Sequence, residues 1–395
     1  MSKLSSIDRK GITEENGKPQ AKAIWIEDST CKRNIKFHPI LETITSLSEY
    51  MEFLKKIHTE NENRLKSKGI KCGSYFFYRG QADIQYTYNP VALRKTENIE
   101  REHLISKEYH RQLYELFDEC KNAMEEQVHM QHYGVGSRIL DLLENPLIAL
   151  WAACSQGSDT SGEVNKKYGE VSVWCLDRLD DKLKAFDSST VSVIANTSKC
   201  EPSFSLGHLE TFYHKEHPSN IIDFIYLKDV LRSSVVVRPK YTNPRIKNQW
   251  SAFLITNLNE MVDQRNQFKN KFGISVKDFS KHILKSEEDI NVKYIREGKI
   301  KIPGMKNVQS LTSWDLWFKK GLPDEMPFVD TYDCYKYLYN HSQNPKEIRP
   351  MFAIIPGKYK ESILKELEYL GITESYIFPE RNKISENIKK IFELS

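Results

Sequence analysis

The chain has 395 residues, of which 39% are hydrophobic and 28% are charged, and its formal net charge is +4. This composition is typical of a globular chain with a sizeable core and argues against extensive disorder. The small positive charge permits a nucleotide or nucleic-acid partner without requiring one. No apolar run approaches a membrane-spanning length and no apolar signal segment opens the chain, so we expect a cytoplasmic protein without membrane contact. The seven cysteines are odd in number and never spaced as C-x-x-C, which argues against a disulfide framework or a metal site.

The first part of the chain predicts a polar extension followed by a helix and a buried strand. Residues 1–44 form the extension, with a loose terminus up to about residue 22 and a short strand at 23–26. Apolar residues at helical spacing then predict a helix from about residue 45, which a glycine ends. The aromatic run 70–78 predicts a buried strand that delivers Arg79 to a turn.

A helical pattern over 99–128 leads into the stretch around which the chain is organised, residues 131–153. Its first half is polar and turn-forming. Its second half predicts a buried helix, with Asn145 as the N-cap and Pro146 in the first turn, where the missing N–H costs nothing. A loop that carries His, Arg and Asp side chains is therefore anchored to a core helix.

The rest of the chain predicts strands at 169–176, 234–238 and 351–356, a helix at 358–370 and a last helix at 384–392. We interpret the charged, aromatic segment 257–345 as a helical insertion. The predicted fold is α+β, with a mixed central sheet flanked by helices. Its predicted organisation is an extension at 1–44, a core at 45–256, the insertion at 257–345 and a C-terminal part of the core at 346–395.

Four basic side chains stand beside glycines, turns or strand ends: Arg79, His132, Arg138 and Arg245. A guanidinium suits phosphate or carboxylate, and a histidine can exchange a proton near neutral pH. Asp141 could orient a partner or stabilise developing positive charge. The competing interpretation is structural: Arg79 as an ion-pair partner, Arg138 paired with Asp141 across the turn, and His132 as a hydrogen-bonded core residue. These residues alone indicate a candidate site for an anionic ligand, but no reaction.

Four motifs in the same order resemble the FRG-domain family, which is named for its Phe/Tyr-Arg-Gly motif. The first is Tyr78-Arg79-Gly80-Gln81, followed by Asn89-Pro90-Val91-Ala92-Leu93-Arg94, and the second is the stretch from Gln131 to Ala153. The third is the Arg-x-x-x-Gln-x-x-x-Phe pattern of Arg245, Gln249 and Phe253, and the last is Gly371-Ile372-Thr373 with Ile377-Phe378-Pro379. Gly136 and Ser137 replace the usual Pro-Thr, Leu142 replaces a Trp, and the glycine usual before Phe253 is absent.

The resemblance implies a component of a bacterial phage-defence or toxin system. The layout has a strand that delivers Arg-Gly, a mid-chain hydroxyl beside small residues and a later strand that carries Gln249. It is similar to that of ADP-ribosyltransferases, which implies NAD as the ligand and transfer or hydrolysis as the reaction. Those enzymes usually place a carboxylate where this chain has the neutral Gln249, so Asp141 or Glu144 would have to replace it. In this hypothesis the three arginines hold phosphates, Ser137 and Gln249 orient the ribose, and Asp141 supplies negative charge.

Two alternatives stay open: a module that senses a nucleotide or a phage-derived molecule without turnover, and an RNA-acting toxin that uses His132 as general acid and base. The partner is a nucleotide or dinucleotide ligand, with a protein or RNA target as a further possibility. The predicted catalytic residues are Arg79, His132, Asp141 and Gln249. The predicted ligand-binding residues are Tyr78, Gly80, Gln81, Tyr133, Ser137, Arg138 and Arg245.

Overall fold

The fold was analysed in a computed structural model of the chain. The structure describes residues 12–15, 18–21, 24–28, 33–37, 40–67, 69–83, 86, 90–132, 134–155, 167–178, 183–219, 230, 234–256, 259–261, 294–295, 299–300, 311–312, 317–320 and 351–379. The predicted last helix at 384–392 lies outside these residues.

An eight-stranded mixed sheet forms the centre of the molecule. Its strands, in chain order, are β1 Ile40–Thr43, β2 Ser74–Gln81, β3 Ile139–Leu143, β4 Gly169–Asp177, β5 Leu183–Ala185, β6 Ser234–Arg238, β7 Ser251–Thr256 and β8 Met351–Ile355. Across the sheet they lie in the order β1-β8-β4-β2-β3-β7-β6-β5. The two edge pairs, β1 with β8 and β5 with β6, are parallel, and the pairs between them are antiparallel. The predicted α+β fold with a mixed sheet is confirmed.

Helices pack against this sheet. Their bounds are α1 Leu47–Ser67, α2 Thr96–Gln112, α3 Tyr114–Asp118, α4 Ala123–His132, α5 Pro146–Cys154, α6 Ser189–Asn196, α7 Leu206–Glu216, α8 Pro244–Gln249, α9 Gly357–Tyr369 and α10 Glu374–Ile377, with 3-10 turns at Val91–Leu93 and Thr197–Lys199. The single helical pattern over 99–128 is divided among α2, α3 and α4. A new helix starts at α4 because the side chain of Asn122 accepts a hydrogen bond from the backbone N–H of Glu125 (3.0 Å) and so caps its N-terminus.

Three boundary predictions need correction. The terminus expected to be loose contains two short paired strands, Ile12–Glu15 and Lys18–Ala21. The predicted extension 1–44 includes β1, which pairs with β8 in the central sheet, so the core begins before residue 45. Within the segment predicted to be a helical insertion, every described residue lies in a short strand. These strands are Asn259–Met261, Tyr294–Ile295, Lys299–Ile300, Leu311–Thr312 and Trp317–Lys320.

Two hydrophobic clusters lie on one face of the sheet, and β3 contributes to both. Ile139 packs with residues of α4, α6 and α7, whereas Leu143 packs with residues of α1, α5 and α9. Successive side chains of a strand point to opposite faces, so Asp141 leaves β3 on the same face as these two residues. The sheet thus holds one carboxylate between two packed cores.

Helix α5 lies unusually close to the sheet. A Cβ atom added to Gly80 would stand 1.9 Å from the carbonyl oxygen of Ala149, and one added to Gly169 would stand 2.2 Å from that of Ala153. The glycines therefore allow β2 and β4 to approach the helix backbone. Asn145 caps α5 by accepting from the N–H of Leu147 (2.9 Å), and Pro146 occupies the first turn, as predicted.

Candidate functional site

The site lies where β2 and β3 separate. The two strands share a single register pair, Tyr78 with Leu143, and beyond it their backbones are no longer paired. Nη1 of Arg79 donates to the carbonyl oxygen of Asp141 (2.8 Å) across this gap. In the orientation that satisfies both of its amide groups, Gln81 accepts from Nε of Arg79 (3.3 Å) and donates to the carbonyl oxygen of Tyr86 (3.2 Å). Arg79 therefore replaces part of the missing strand pairing.

A chain of three polar side chains ends at the carboxylate of Asp141. The hydroxyl of Ser137 donates to Oε1 of Gln131 (2.8 Å), and Nε2 of Gln131 donates to Oδ2 of Asp141 (3.0 Å). Ser137 is fully buried, while Asp141 is half-buried. Among the described residues, no group donates to the second carboxylate oxygen, Oδ1. The arrangement presents an oriented carboxylate with one oxygen still available.

The 3-10 turn Val91–Leu93 holds the backbone around Ser137. The carbonyl oxygen of Ser137 accepts from the N–H of Ala92 (3.2 Å), and a Cβ at Gly136 would stand 3.0 Å from Cγ1 of Val91. Asn98 of α2 in turn donates to the carbonyl oxygen of Val91 (2.9 Å). The described part of the Asn-Pro-Val-Ala-Leu-Arg motif thus supports the loop that carries Ser137.

Arg138 does not belong to this site, and the prediction that it binds a phosphate receives no support. Its guanidinium is 1% exposed and makes a two-fold contact with Glu102 of α2, with Nε–Oε1 at 2.5 Å and Nη2–Oε2 at 2.7 Å. The predicted pairing with Asp141 was wrong. Arg138 instead contacts Glu102 of α2, whereas the carboxylate of Asp141 contacts Gln131 of α4.

Lys320 completes the buried cluster around Arg138. Its Nζ donates to Oε2 of Glu102 and to the carbonyl oxygen of Ser198, both at 3.2 Å. Burial lowers the pKa of Lys320 to about 8, against the opposing effect of Glu102. Burial by itself would raise the pKa of Glu102, but Arg138 and Lys320 together hold it below its ordinary value.

Arg245 and Gln249 join the third motif to the last one. The guanidinium of Arg245 stacks over the ring of Phe378 at 4.6 Å, and its Nη1 donates to the carbonyl oxygen of His132 at the C-terminus of α4 (3.3 Å). Gln249 donates to the carbonyl oxygen of Ile377 (3.2 Å). Gln249 ends helix α8, so its predicted position on a strand was wrong. A cation at the negative end of α4 has a structural role there.

The structure brings only part of the predicted site together. Arg79, Gln81, Ser137 and Asp141 meet at the gap, with His132 and Arg245 at the adjoining end of α4. Tyr78 is buried on the side of α1, where its hydroxyl lies 3.1 Å from Nε2 of His58, and burial raises its pKa. Gly80 faces α5, so neither Tyr78 nor Gly80 borders the gap as a ligand-binding residue. Tyr133 lies outside the described residues.

The sequence analysis missed Gln131 as a site residue, although it opens the Gln-His-Tyr-Gly motif. Its hydrogen bonds join Ser137 and Asp141, which no local pattern predicts. A glutamine in a motif can equally be interpreted as a capping residue or a surface residue. The position of this motif at the end of a helix was the available signal. Glu102 carried no signal at all, because it lies within an ordinary charged helical pattern.

Comparison with protein families identifies the part of the chain that forms this gap. The model of the FRG domain matches residues 74–162, which run from β2 through α5. The chain contains an FRG domain. It is this domain that supplies Arg79, Gln131, Ser137 and Asp141. No curated protein and no solved structure matches the chain.

The described residues have two further properties. None of their helices combines the length and the apolar character needed to cross a bilayer. Among the same residues, no group of histidine, cysteine, aspartate or glutamate side chains is arranged to hold a metal ion.

Proposed function

We propose that the FRG domain of this chain binds a nucleotide with a ribose and a diphosphate, such as NAD, at the gap between β2 and β3. The observation that supports the proposal is the Asp141 carboxylate, which Gln131 holds through Oδ2 and which keeps Oδ1 without a donor among the described residues. A half-buried carboxylate oxygen of this kind is a ready acceptor for a ligand hydroxyl.

The arrangement suits a sugar better than a phosphate at Asp141 itself. A carboxylate repels a phosphate, but it accepts hydrogen bonds from ribose hydroxyls, as acidic residues do in dinucleotide-binding domains. Arg79 places positive charge on the other side of the same gap, where a diphosphate would be favoured. One acid and one guanidinium thus match the two chemical halves of a nucleotide.

With NAD as the ligand, the same groups support an enzymatic role. The bond between the ribose C1′ and the nicotinamide nitrogen breaks, its electron pair leaves with nicotinamide, and positive charge develops on the ribose. A nucleophile, either water or a group on a target, then adds at C1′ and loses a proton. Asp141, fixed before the ligand arrives, would stabilise that positive charge without having to reorganise. We infer from the family resemblance that this activity serves phage defence or acts as a toxin.

The test measures NAD consumption and NAD binding in the same preparations. We expect Asp141→Asn to bind NAD but to lose turnover by roughly 100-fold or more, the scale seen when one electrostatic group is removed from an active site. Arg79→Lys keeps the charge but loses the planar fork, so we expect weaker binding. Glu108→Gln, on the exposed surface of α2, is the matched control and should change neither quantity. Equal NAD consumption by wild type, Asp141→Asn and Arg79→Ala would refute the enzymatic role.

A sensing module is the second candidate, and one observation favours it. Gln249 takes the place where ADP-ribosyltransferases usually have a carboxylate, and here its amide is engaged with the carbonyl oxygen of Ile377. If calorimetry with a panel of nucleotides shows binding while product analysis shows no cleavage, the site senses its ligand. Cleavage of RNA without added metal, lost in His132→Ala, would instead support the RNA-acting alternative.

A further inference from the structure

We infer that Gln131 is the positioning residue of this site. It is held by a hydrogen bond from Ser137, and it fixes the Asp141 carboxylate so that Oδ1 faces the ligand. The inference rests on the proposed function for its ligand, but its geometric part is independent of which nucleotide binds. It concerns the three side chains of the polar chain described above, Ser137, Gln131 and Asp141.

The direction of each hydrogen bond follows from the last member of this polar chain, the carboxylate of Asp141. An ionised carboxylate only accepts, so the group of Gln131 that faces Oδ2 of Asp141 must be its NH2 group. The amide oxygen of Gln131 then faces Ser137, whose hydroxyl must donate to it (2.8 Å). The carboxylate of Asp141 thereby decides which way round the amide stands, and the hydrogen bond from Ser137 holds the amide in that position.

Each member of the chain is fixed by its own surroundings. Ser137 is fully buried, and its backbone carbonyl is held by the N–H of Ala92. Gln131 belongs to the last turn of α4, whose neighbouring residue Met130 is buried. Asp141 stands on β3 between residues of the two hydrophobic clusters. A carboxylate supported in this way loses little conformational entropy when it meets a ligand.

The amide and the acid can be exchanged to test the inference. In Gln131→Glu two carboxylates face each other, and in Asp141→Asn a charge is lost. Each single variant therefore disturbs the hydrogen bonds among the three side chains. In the double variant Gln131→Glu/Asp141→Asn, the new glutamate accepts from Ser137 and from the amide of residue 141, and the hydrogen bonds are restored with the carboxylate moved. The measurements are the urea midpoint of unfolding and the NAD turnover of the full chain.

We expect Gln131→Glu to lower the urea midpoint and the double variant to recover at least about half of the loss, a non-additivity that marks direct coupling. Turnover should stay lost in the double variant because position 141 no longer carries a carboxylate. Midpoint losses that simply add would overturn the inference, and so would recovery of turnover in the double variant. If the midpoint recovers but wild type neither binds nor consumes NAD, the positioning role stands and the proposed function fails.

Variants at Ser137 give a second readout that a purely structural role would not produce. Ser137→Ala should lower kcat roughly 10-fold with KM nearly unchanged, because the amide of Gln131 loses the hydrogen bond that holds its oxygen while the binding groups remain. Ser137→Thr keeps the hydroxyl and should retain most of the turnover. A loss that falls on KM alone, or an equal loss in both variants, would contradict the positioning role.

Discussion

Two polar clusters beside β3 are in contrasting states. In one cluster, Arg138 and Lys320 are 1% and 2% exposed and both contact the carboxylate of Glu102. In the other, the carboxylate of Asp141 is half-buried and uses one oxygen for Gln131. Buried charges require partners, because leaving them unpaired costs several kcal/mol. Full burial beside an opposite charge is therefore typical of a structural role, whereas an oriented acid at the edge of solvent can meet a ligand.

The sharpest way to test this contrast is to remove the acid from the buried cluster. Glu102→Gln leaves Arg138 and Lys320 as two cations in the interior, so we expect a loss of about 3–5 kcal/mol in the free energy of unfolding. Urea denaturation measures it. Glu108→Gln on the same helix removes an acid from an exposed ion pair with Arg111 and serves as the control, for which we expect no measurable change.

If the urea midpoint of Glu102→Gln equals that of wild type, the buried cluster is not what holds α2 and the strand Trp317–Lys320 against the sheet. The contrast between the two polar clusters would then lose its structural side.

The second prediction concerns the pH dependence of the same cluster. In the folded protein the pKa of Lys320 is about 8, whereas in the unfolded chain a lysine titrates near about 10.4. Between these values the unfolded state binds more protons, so the contribution of Lys320 to stability rises with pH. Lys320→Met lacks this contribution. The difference in unfolding free energy between wild type and variant should therefore shift in favour of wild type from pH 7 to pH 10.

Groups that do not interact with Lys320 ionise alike in both proteins in that range and cancel in the difference. Parallel stability curves for wild type and Lys320→Met would contradict the depressed pKa.

The smallest stability effect is expected at Asp141. Asp141→Asn should change the free energy of unfolding by only about 1 kcal/mol, the worth of one weakened hydrogen bond, while it removes turnover. Urea denaturation alongside the NAD assay compares the two losses directly. A stability loss as large as that of Glu102→Gln would assign Asp141 to the structural side of the contrast.

The sequence was sufficient for features that depend on neighbouring residues. Asn145 and Pro146 predicted the start of α5 because capping is local, and the aromatic run before Arg79 predicted β2. The stretch from Gln131 to Ala153 identified the domain and the vicinity of the site.

The sequence was insufficient where the answer depends on which face a residue takes or on contacts between distant segments. Arg138 and Asp141 stand three positions apart, and no local pattern shows that the first contacts Glu102 of α2 while the second contacts Gln131 of α4. Glu102 and Lys320 are 218 positions apart, so no local pattern could reveal that they meet. Gln249 was misplaced for a related reason, because the six-residue helix α8 is too short to produce a recognisable period.

The single register pair between β2 and β3 divides the sheet into two four-stranded plates. Across this line the strands share the pair of Tyr78 with Leu143 and the bond from Arg79 to Asp141, and one hydrophobic cluster packs over both plates. A nucleotide that spans both strands would act as a clamp across the line and stabilise the protein by mass action. The rise in melting temperature with added nucleotide would then measure how firmly the two plates are joined.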